Sequence, residues 1–148
     1  METTSISPQQ TAGEVIAKLV QAGARQIAQD YDANGKLTGV AFTMEIAPGM
    51  IRAYRMPVRT EPVFKLLNGR RKNSWDRRGK TDADREQAER VAWRQLYRWI
   101  EAQLAIIQVG MVASSEVFLP YMQDESGKTV YQMFMENTQK LLSAGEPE

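Results

Sequence analysis

One stretch of the chain, residues 81–111, constrains the fold more than any other, because it has the pattern of a single long amphipathic helix. Thr81 is a suitable N-cap, and the acidic residues that follow it occupy the first turn, where the helix dipole favours negative charge. Apolar residues recur along the stretch at three- and four-residue steps, which is typical of a helix with one buried stripe. The stripe consists of Ala88, Ala92, Leu96, Trp99, Ile100, Leu104, Ile107 and Met111.

The sequence before this helix predicts a short helix followed by a three-stranded antiparallel sheet. The short helix has Thr11 as its N-cap, and Glu14 completes a capping box. Residues 32–35 and 48–49 have turn sequences between apolar or alternating segments, so we expect the strands to form a meander. The predicted elements are a helix at 11–22 and strands at 24–31, 37–47 and 50–58.

The remaining pattern predicts an α+β fold in a single domain. Further helical segments are expected at 61–67, 112–122 and 129–142. A chain of 148 residues is the usual size of one domain. The expected divisions are a flexible N-terminal arm at 1–10, the domain at 11–145 with a basic loop at 68–80, and a frayed tail at 146–148.

The composition excludes much of enzyme chemistry, because the chain contains no cysteine and no histidine. Disulfides, thiolate metal sites and imidazole general bases are therefore impossible. The acidic residues at 82–89 are explained by the start of the long helix. Gly127-Lys128-Thr129 lacks the earlier glycine of a phosphate-binding loop, since Met122 occupies that position, and Thr129 is a suitable N-cap. We expect a protein that is not an enzyme, with no catalytic residues, no metal and no cofactor.

No membrane or export signal is visible in the sequence. Residues 1–10 are polar and lack the apolar core of a secretory signal. The longest apolar run, 102–113, is interrupted by polar residues and is too short to span a bilayer. The sequence therefore predicts a cytoplasmic protein without a membrane partner.

Charge is distributed unevenly along the chain, although the net charge is only +1. Residues 52–98 contain 14 Lys/Arg and 6 Asp/Glu, a net charge of +8, and the remainder has a net charge of −7. Two explanations are open. The basic part forms a face that meets an anionic partner, or the two parts pair with each other in the fold.

The basic part contains a cationic cluster interleaved with aromatic residues. Its first half is the expected loop, NGRRKNSWDRRGK at 68–80, and its second half is a row of arginines at four-residue intervals on the long helix. Clustered cations bind nucleic-acid phosphates, and aromatic rings stack on the bases of single strands. Alternatively, Trp93 and Tyr97 belong to the core and the arginines pair with acidic groups elsewhere. The candidate nucleic-acid-binding residues are Arg70, Arg71, Lys72, Trp75, Arg77, Arg78, Lys80, Arg90, Arg94 and Arg98.

The order of elements and several short motifs resemble a known group of proteins. The motifs are Gly23-Ala24, Trp93-Arg94-Gln95-Leu96, Glu116-Val117-Phe118-Leu119, Gly127-Lys128-Thr129-Val130 and Leu141-Leu142. Together they resemble a family of small uncharacterised proteins of bacteriophages and prophages. That resemblance implies a phage setting and a host-cell cytoplasm, and it carries over no functional residues. The layout is also similar to that of single-strand annealing proteins of the Rad52 and Erf type.

These observations lead to one functional hypothesis and one alternative. The hypothesis is a non-catalytic phage-type protein that binds nucleic acid, with single-stranded DNA favoured, in replication or recombination. The alternative is a protein-interaction module, such as a phage inhibitor of a host defence or transcription system. Either interpretation leaves homo-oligomerisation open.

Overall fold

The structure, a computed structural model, describes residues 4–70 and 82–145 and has the expected α+β fold. A helix precedes a three-stranded antiparallel sheet, and a short helix, one long helix and smaller C-terminal helices follow it. The elements are α1 (Pro8–Gln21), β1 (Gln26–Tyr31), β2 (Leu37–Ala47), β3 (Met50–Pro57), α2 (Thr60–Arg70), α3 (Asp82–Gln108), α4 (Ser114–Phe118), a 3₁₀ helix (Leu119–Tyr121) and α5 (Val130–Ala144).

Helix α1 begins at Pro8, three residues before the expected start at Thr11. Ser7 is the N-cap, since its side chain accepts a hydrogen bond of 3.1 Å from the backbone N–H of Gln10. Pro8 favours this start because its fixed φ suits the first turn of a helix. Thr11 is instead fully buried. The expected capping box of Thr11 and Glu14 is therefore wrong, and part of the expected N-terminal arm is helical.

The sheet is the expected meander, with strand order β1-β2-β3 and antiparallel pairing. The first turn is held by Asp32, whose Oδ1 accepts hydrogen bonds from the backbone N–H groups of Asn34 and Lys36 at 2.8 and 3.0 Å. Gly35 follows with φ +78°, a conformation that glycine adopts without steric cost. The inner face of the sheet packs against the helices. Two residues of β2 that point the other way are only half-buried by the described part of the chain, namely Ala41 and Thr43.

An aromatic cluster joins the inner face of the sheet to the helices. Phe42 and Tyr54 are cross-strand neighbours whose rings stack with centroids 5.2 Å apart. Phe118 packs edge-on against both rings, at 5.4 and 6.1 Å, and also against Trp99 at 5.9 Å. The short α4 is thereby fixed to the core by one buried side chain.

The buried surface of α3 is wider than the predicted stripe. Most stripe residues are buried or half-buried, but Met111 lies beyond the helix and is exposed. Val91 and Trp93 are buried as well. Helix α3 packs against α1 and against α2, so more than one of its sides is covered.

The C-terminal part is divided more finely than the sequence predicted. The single helical segment expected at 112–122 is two short elements, α4 and the 3₁₀ helix. The last helix has Thr129 as its N-cap and a capping box with Gln132, so a turn and a cap account for Gly127-Lys128-Thr129. Within the described ranges, no helix is both long and apolar enough to cross a membrane.

Candidate nucleic-acid interface

The two helices that flank the basic segment are both anchored to the body of the protein. Helix α2 ends at Arg70 and buries Phe64. The Arg85 guanidinium of α3 lies 4.2 Å from the centroid of the Phe64 ring and pairs with Glu61. Further along α3, Ala88 and Val91 are buried. Both flanks of the segment are therefore held by packing and by charge.

Most of the basic segment itself lies outside the described residues. This applies to Arg71, Lys72, Trp75, Arg77, Arg78 and Lys80, and to the side chain of Arg70. Residues 68–70, which were expected in the loop at 68–80, form the end of α2. The sequence alone assigns residues 70–80 six Lys/Arg and one Asp, a net charge of +5.

Arg94, in the middle of the arginine row, is paired within the protein. Its Nη1 donates to the Glu14 carboxylate of α1, and its guanidinium lies 4.4 Å from the centroid of the Tyr97 ring. The Arg94 side chain is only 21% exposed. Sequence reasoning missed Glu14 as the partner of Arg94, since 80 positions separate the two residues. No local pattern connects residues so far apart.

The other two arginines of the row lie in different environments. The Nε and Nη2 atoms of Arg90 donate to Gln87 Oε1 at 3.1 and 2.6 Å. Arg90 and Gln87 also line a shallow cleft with Thr4 and Ser5, so the N-terminal segment lies beside this part of α3. Arg98 is exposed. Arg90 and Arg94 are therefore partly covered by neighbouring parts of the protein, whereas Arg98 is exposed to solvent. The row does not form one uniform cationic surface.

The aromatic residues beside the row belong to the protein interior or its margin. Trp93 is 0% exposed, as the core alternative proposed. The Tyr97 hydroxyl donates a 2.9 Å hydrogen bond to Glu101, and this bond raises the pKa of Tyr97 above its usual 10.0. Neither ring is presented for stacking on a base. Trp75, the residue expected to stack on a base, lies outside the described residues, so that role stays a prediction.

Several ion pairs join the basic part of the chain to the acidic remainder. Arg94 pairs with Glu14, and Arg55 Nε lies 3.2 Å from Asp30 Oδ2. The reverse pairing also occurs, since Lys36 Nζ lies 3.0 Å from Glu89 Oε1. Part of the charge asymmetry is therefore compensated inside the fold, as the second explanation proposed. The cations of residues 70–80 carry most of the excess that the sequence assigns to 52–98.

A cleft of about 340 Å³ at the junction of the first turn with α2 and α3 contains several charged groups. Four of them form two ion pairs, Lys36 with Glu89 and Arg85 with Glu61, and Asp32 accepts the backbone hydrogen bonds of the turn. Lys36 Nζ donates a hydrogen bond to Glu89, and this bond together with the negative charge of Glu89 raises the pKa of Lys36 above 10.5. The amine therefore stays protonated and is a poor base or nucleophile. Among the described residues, no group of three or more Asp or Glu is placed to hold a metal ion.

Comparison of the chain with protein-family models, with curated proteins and with solved structures found no match. The resemblance to small phage proteins therefore stays a prediction.

Proposed function

We propose that the protein is a non-catalytic, phage-type nucleic-acid-binding protein of the host-cell cytoplasm that favours single-stranded DNA and acts in replication or recombination. The main support is the position of the basic segment, residues 70–80, between two helices anchored to the body. A cluster with a net charge of +5, held at both ends by anchored helices, favours binding to closely spaced phosphates. Within the segment this charge is largely uncompensated, because Asp76 is the one acid among six cations.

In this proposal the residues have different roles. The six Lys/Arg of the basic segment contact phosphates, and Trp75 stacks on a base. Arg98 extends the path along α3. Arg90 and Arg94 are less exposed, because they lie beside the N-terminal segment and α1 respectively. They contribute to binding through the positive electrostatic potential of the surface more than through direct contacts with phosphates.

The proposal is tested by fluorescence anisotropy with labelled single-stranded DNA, duplex DNA and RNA across a salt series from about 50 to 200 mM. We expect the tightest binding to single-stranded DNA, with an affinity that falls steeply as salt rises. Trp75→Ala should weaken single-strand binding by roughly 1–3 kcal/mol and leave duplex binding nearly unchanged, because only unpaired bases can stack on a side chain. Equal losses for both ligands would remove the stacking role.

A protein-interaction module, such as an inhibitor of a host defence or transcription system, is the second candidate. Two ion pairs within the fold, Arg94 with Glu14 and Arg55 with Asp30, favour this candidate. They make the described surface less cationic than the sequence suggests. Capture of one host protein, together with no binding to any nucleic acid at low salt, would support this candidate over the first.

A further inference from the structure

Helix α5 is attached to the rest of the protein at its first turn. The backbone N–H of Val130 donates a 2.8 Å hydrogen bond to the carbonyl oxygen of Met122. Tyr131 lines a cleft with Pro57, Pro120 and Tyr121. None of the fifteen residues of α5 is buried. Most of the helix therefore extends beyond its contact with the 3₁₀ helix.

One side of α5 carries large apolar side chains that the described residues leave uncovered. Phe134 is 62% exposed, Leu141 75% and Leu142 69%, and Tyr131 and Met135 are exposed as well. Their spacing of three, four and seven residues places them on one side of the helix. Thr138 lies among them, and its hydroxyl donates a 2.8 Å hydrogen bond to the Phe134 carbonyl oxygen. The other side carries polar residues, namely Gln132, Glu136, Gln139, Lys140 and Ser143.

A helix of this kind needs a partner surface to be stable in water. Isolated helices shorter than about 12–15 residues are marginal, and most helical stability in proteins comes from packing an apolar face. Helix α5 has a complete N-terminal capping box, but packing of its own face is absent from the described part of the chain. The chemistry of this face limits what can occupy it.

We propose that the occupant is a second copy of this chain, with the two α5 helices packed antiparallel around a twofold axis. The only charged residues of α5, Glu136 and Lys140, lie on the polar side, so the apolar face selects a partner surface that is itself uncharged and apolar. The same face on a second copy of the chain is uncharged and apolar, so it is a suitable partner surface. Phe134 and Leu141 are equally distant from the Asn137–Thr138 step, so an axis at this step places Phe134 of one copy against Leu141 of the other.

The exposed area is sufficient for such an interface. The five large side chains each expose roughly 100 Å² of mostly apolar surface, which gives on the order of 1,000 Å² for two copies, about the minimum for a specific interface. Antiparallel pairing would bury this area without enclosing an unpaired charge. A nucleic acid would not fit the same face, because the face offers no cation to a phosphate.

Sedimentation of the full chain gives the first test. At a protein concentration of about 100 µM, a dimer with a micromolar Kd is almost fully formed. The mass of a single chain is 16.8 kDa, so we expect the protein to sediment with twice this mass. Phe134→Glu with Leu141→Glu should return the protein to the single-chain mass. The matched control, Gln132→Glu with Gln139→Glu, adds the same charge to the polar side and should stay dimeric. A wild-type protein that sediments as a single chain would overturn the proposal.

Cysteine cross-linking gives a second test that does not depend on the folding of the charged variants. The chain has no cysteine, so introduced thiols are the only ones present. A mixture of the single variants Phe134→Cys and Leu141→Cys should form a disulfide-linked pair under mild oxidation, in higher yield than either variant alone. The control mixture is Gln132→Cys with Gln139→Cys. Equal yields in both mixtures would overturn the antiparallel arrangement.

Discussion

Replacing Trp93 tests whether the aromatic residues of the arginine row belong to the core, as the structure places Trp93, or to a ligand surface. Trp93 is 0% exposed and is the largest fully buried side chain among the described residues. A buried tryptophan removes roughly 200 Å² of mostly apolar surface from water, which at about 25 cal/mol per Å² corresponds to about 5 kcal/mol. Alanine retains part of this burial, and unfolded chains are more compact than the extended reference. We therefore expect Trp93→Ala to lower the free energy of unfolding by about 3–5 kcal/mol.

Urea denaturation followed by far-UV circular dichroism measures this loss. Domains are commonly stable by about 5–15 kcal/mol, so the alanine variant would be close to unfolding, and Trp93→Phe, with an expected loss of about 1–2 kcal/mol, keeps the effect measurable. Trp75→Ala is the matched control, with an expected change below about 0.5 kcal/mol. A loss under about 1 kcal/mol for Trp93→Ala would refute the core assignment.

Two further predictions concern glycine positions and pH. Gly39→Ala should lower the free energy of unfolding by about 1–3 kcal/mol in the same assay, because the added Cβ would lie 2.5 Å from the Met56 carbonyl oxygen. Gly13→Ala, at a position on α1 with open space around it, should instead raise the free energy of unfolding by about 0.5–1 kcal/mol. Equal effects of the two substitutions would contradict this prediction. The Ser126 hydroxyl and two backbone N–H groups lower the pKa of Asp124 below its usual 3.8. The carboxylate therefore stabilises the fold above about pH 4, and this contribution is lost as pH falls through the lowered pKa. Asp124→Asn should make urea midpoints less dependent on pH in that range, and an unchanged dependence would contradict it.

Local patterns predicted the fold well because the decisive signals lie close together in sequence. The turn at Asp32–Gly35, the alternation of β2 and the cap at Thr129 each depend on residues a few positions apart. The predicted start of α1 was wrong because Ser7 and Thr11 are both suitable N-cap residues. The proline after Ser7 decides between them, since Pro8 fits the first turn of a helix and has no N–H to lose.

The candidate site was less predictable because its contacts join distant residues. Periodicity assigns one buried stripe to α3, but α1 and α2 cover different sides of this helix, so Val91 is buried although it lies away from the stripe. Trp93, by contrast, lies seven residues before Ile100 and therefore on the same side as the stripe. Arg94 lacks an acidic partner nearby on its own helix and finds Glu14 on another. For α5, the pattern predicts an apolar face but cannot say what covers it. Packing between elements decides all three outcomes, and a sequence pattern within one element does not contain that information.

The central claim is that the basic segment binds nucleic acid, and reversing its charge tests it most directly. Arg71→Glu with Arg78→Glu changes two cations of the segment. Arg52→Glu with Arg59→Glu makes the same charge change at two exposed positions, one in β3 and one just after it. Anisotropy with single-stranded DNA is measured for both variants across the salt series.

We predict that reversal in the basic segment weakens binding at least tenfold. It should also reduce the slope of log affinity against log salt by about 1.4, since each phosphate contact to a single strand contributes about 0.7. The control should change affinity less and keep the slope, and both proteins should unfold at similar urea concentrations. Wild-type affinity and slope in the Arg71→Glu, Arg78→Glu variant, or an equal loss in the control, would contradict the assignment of the site.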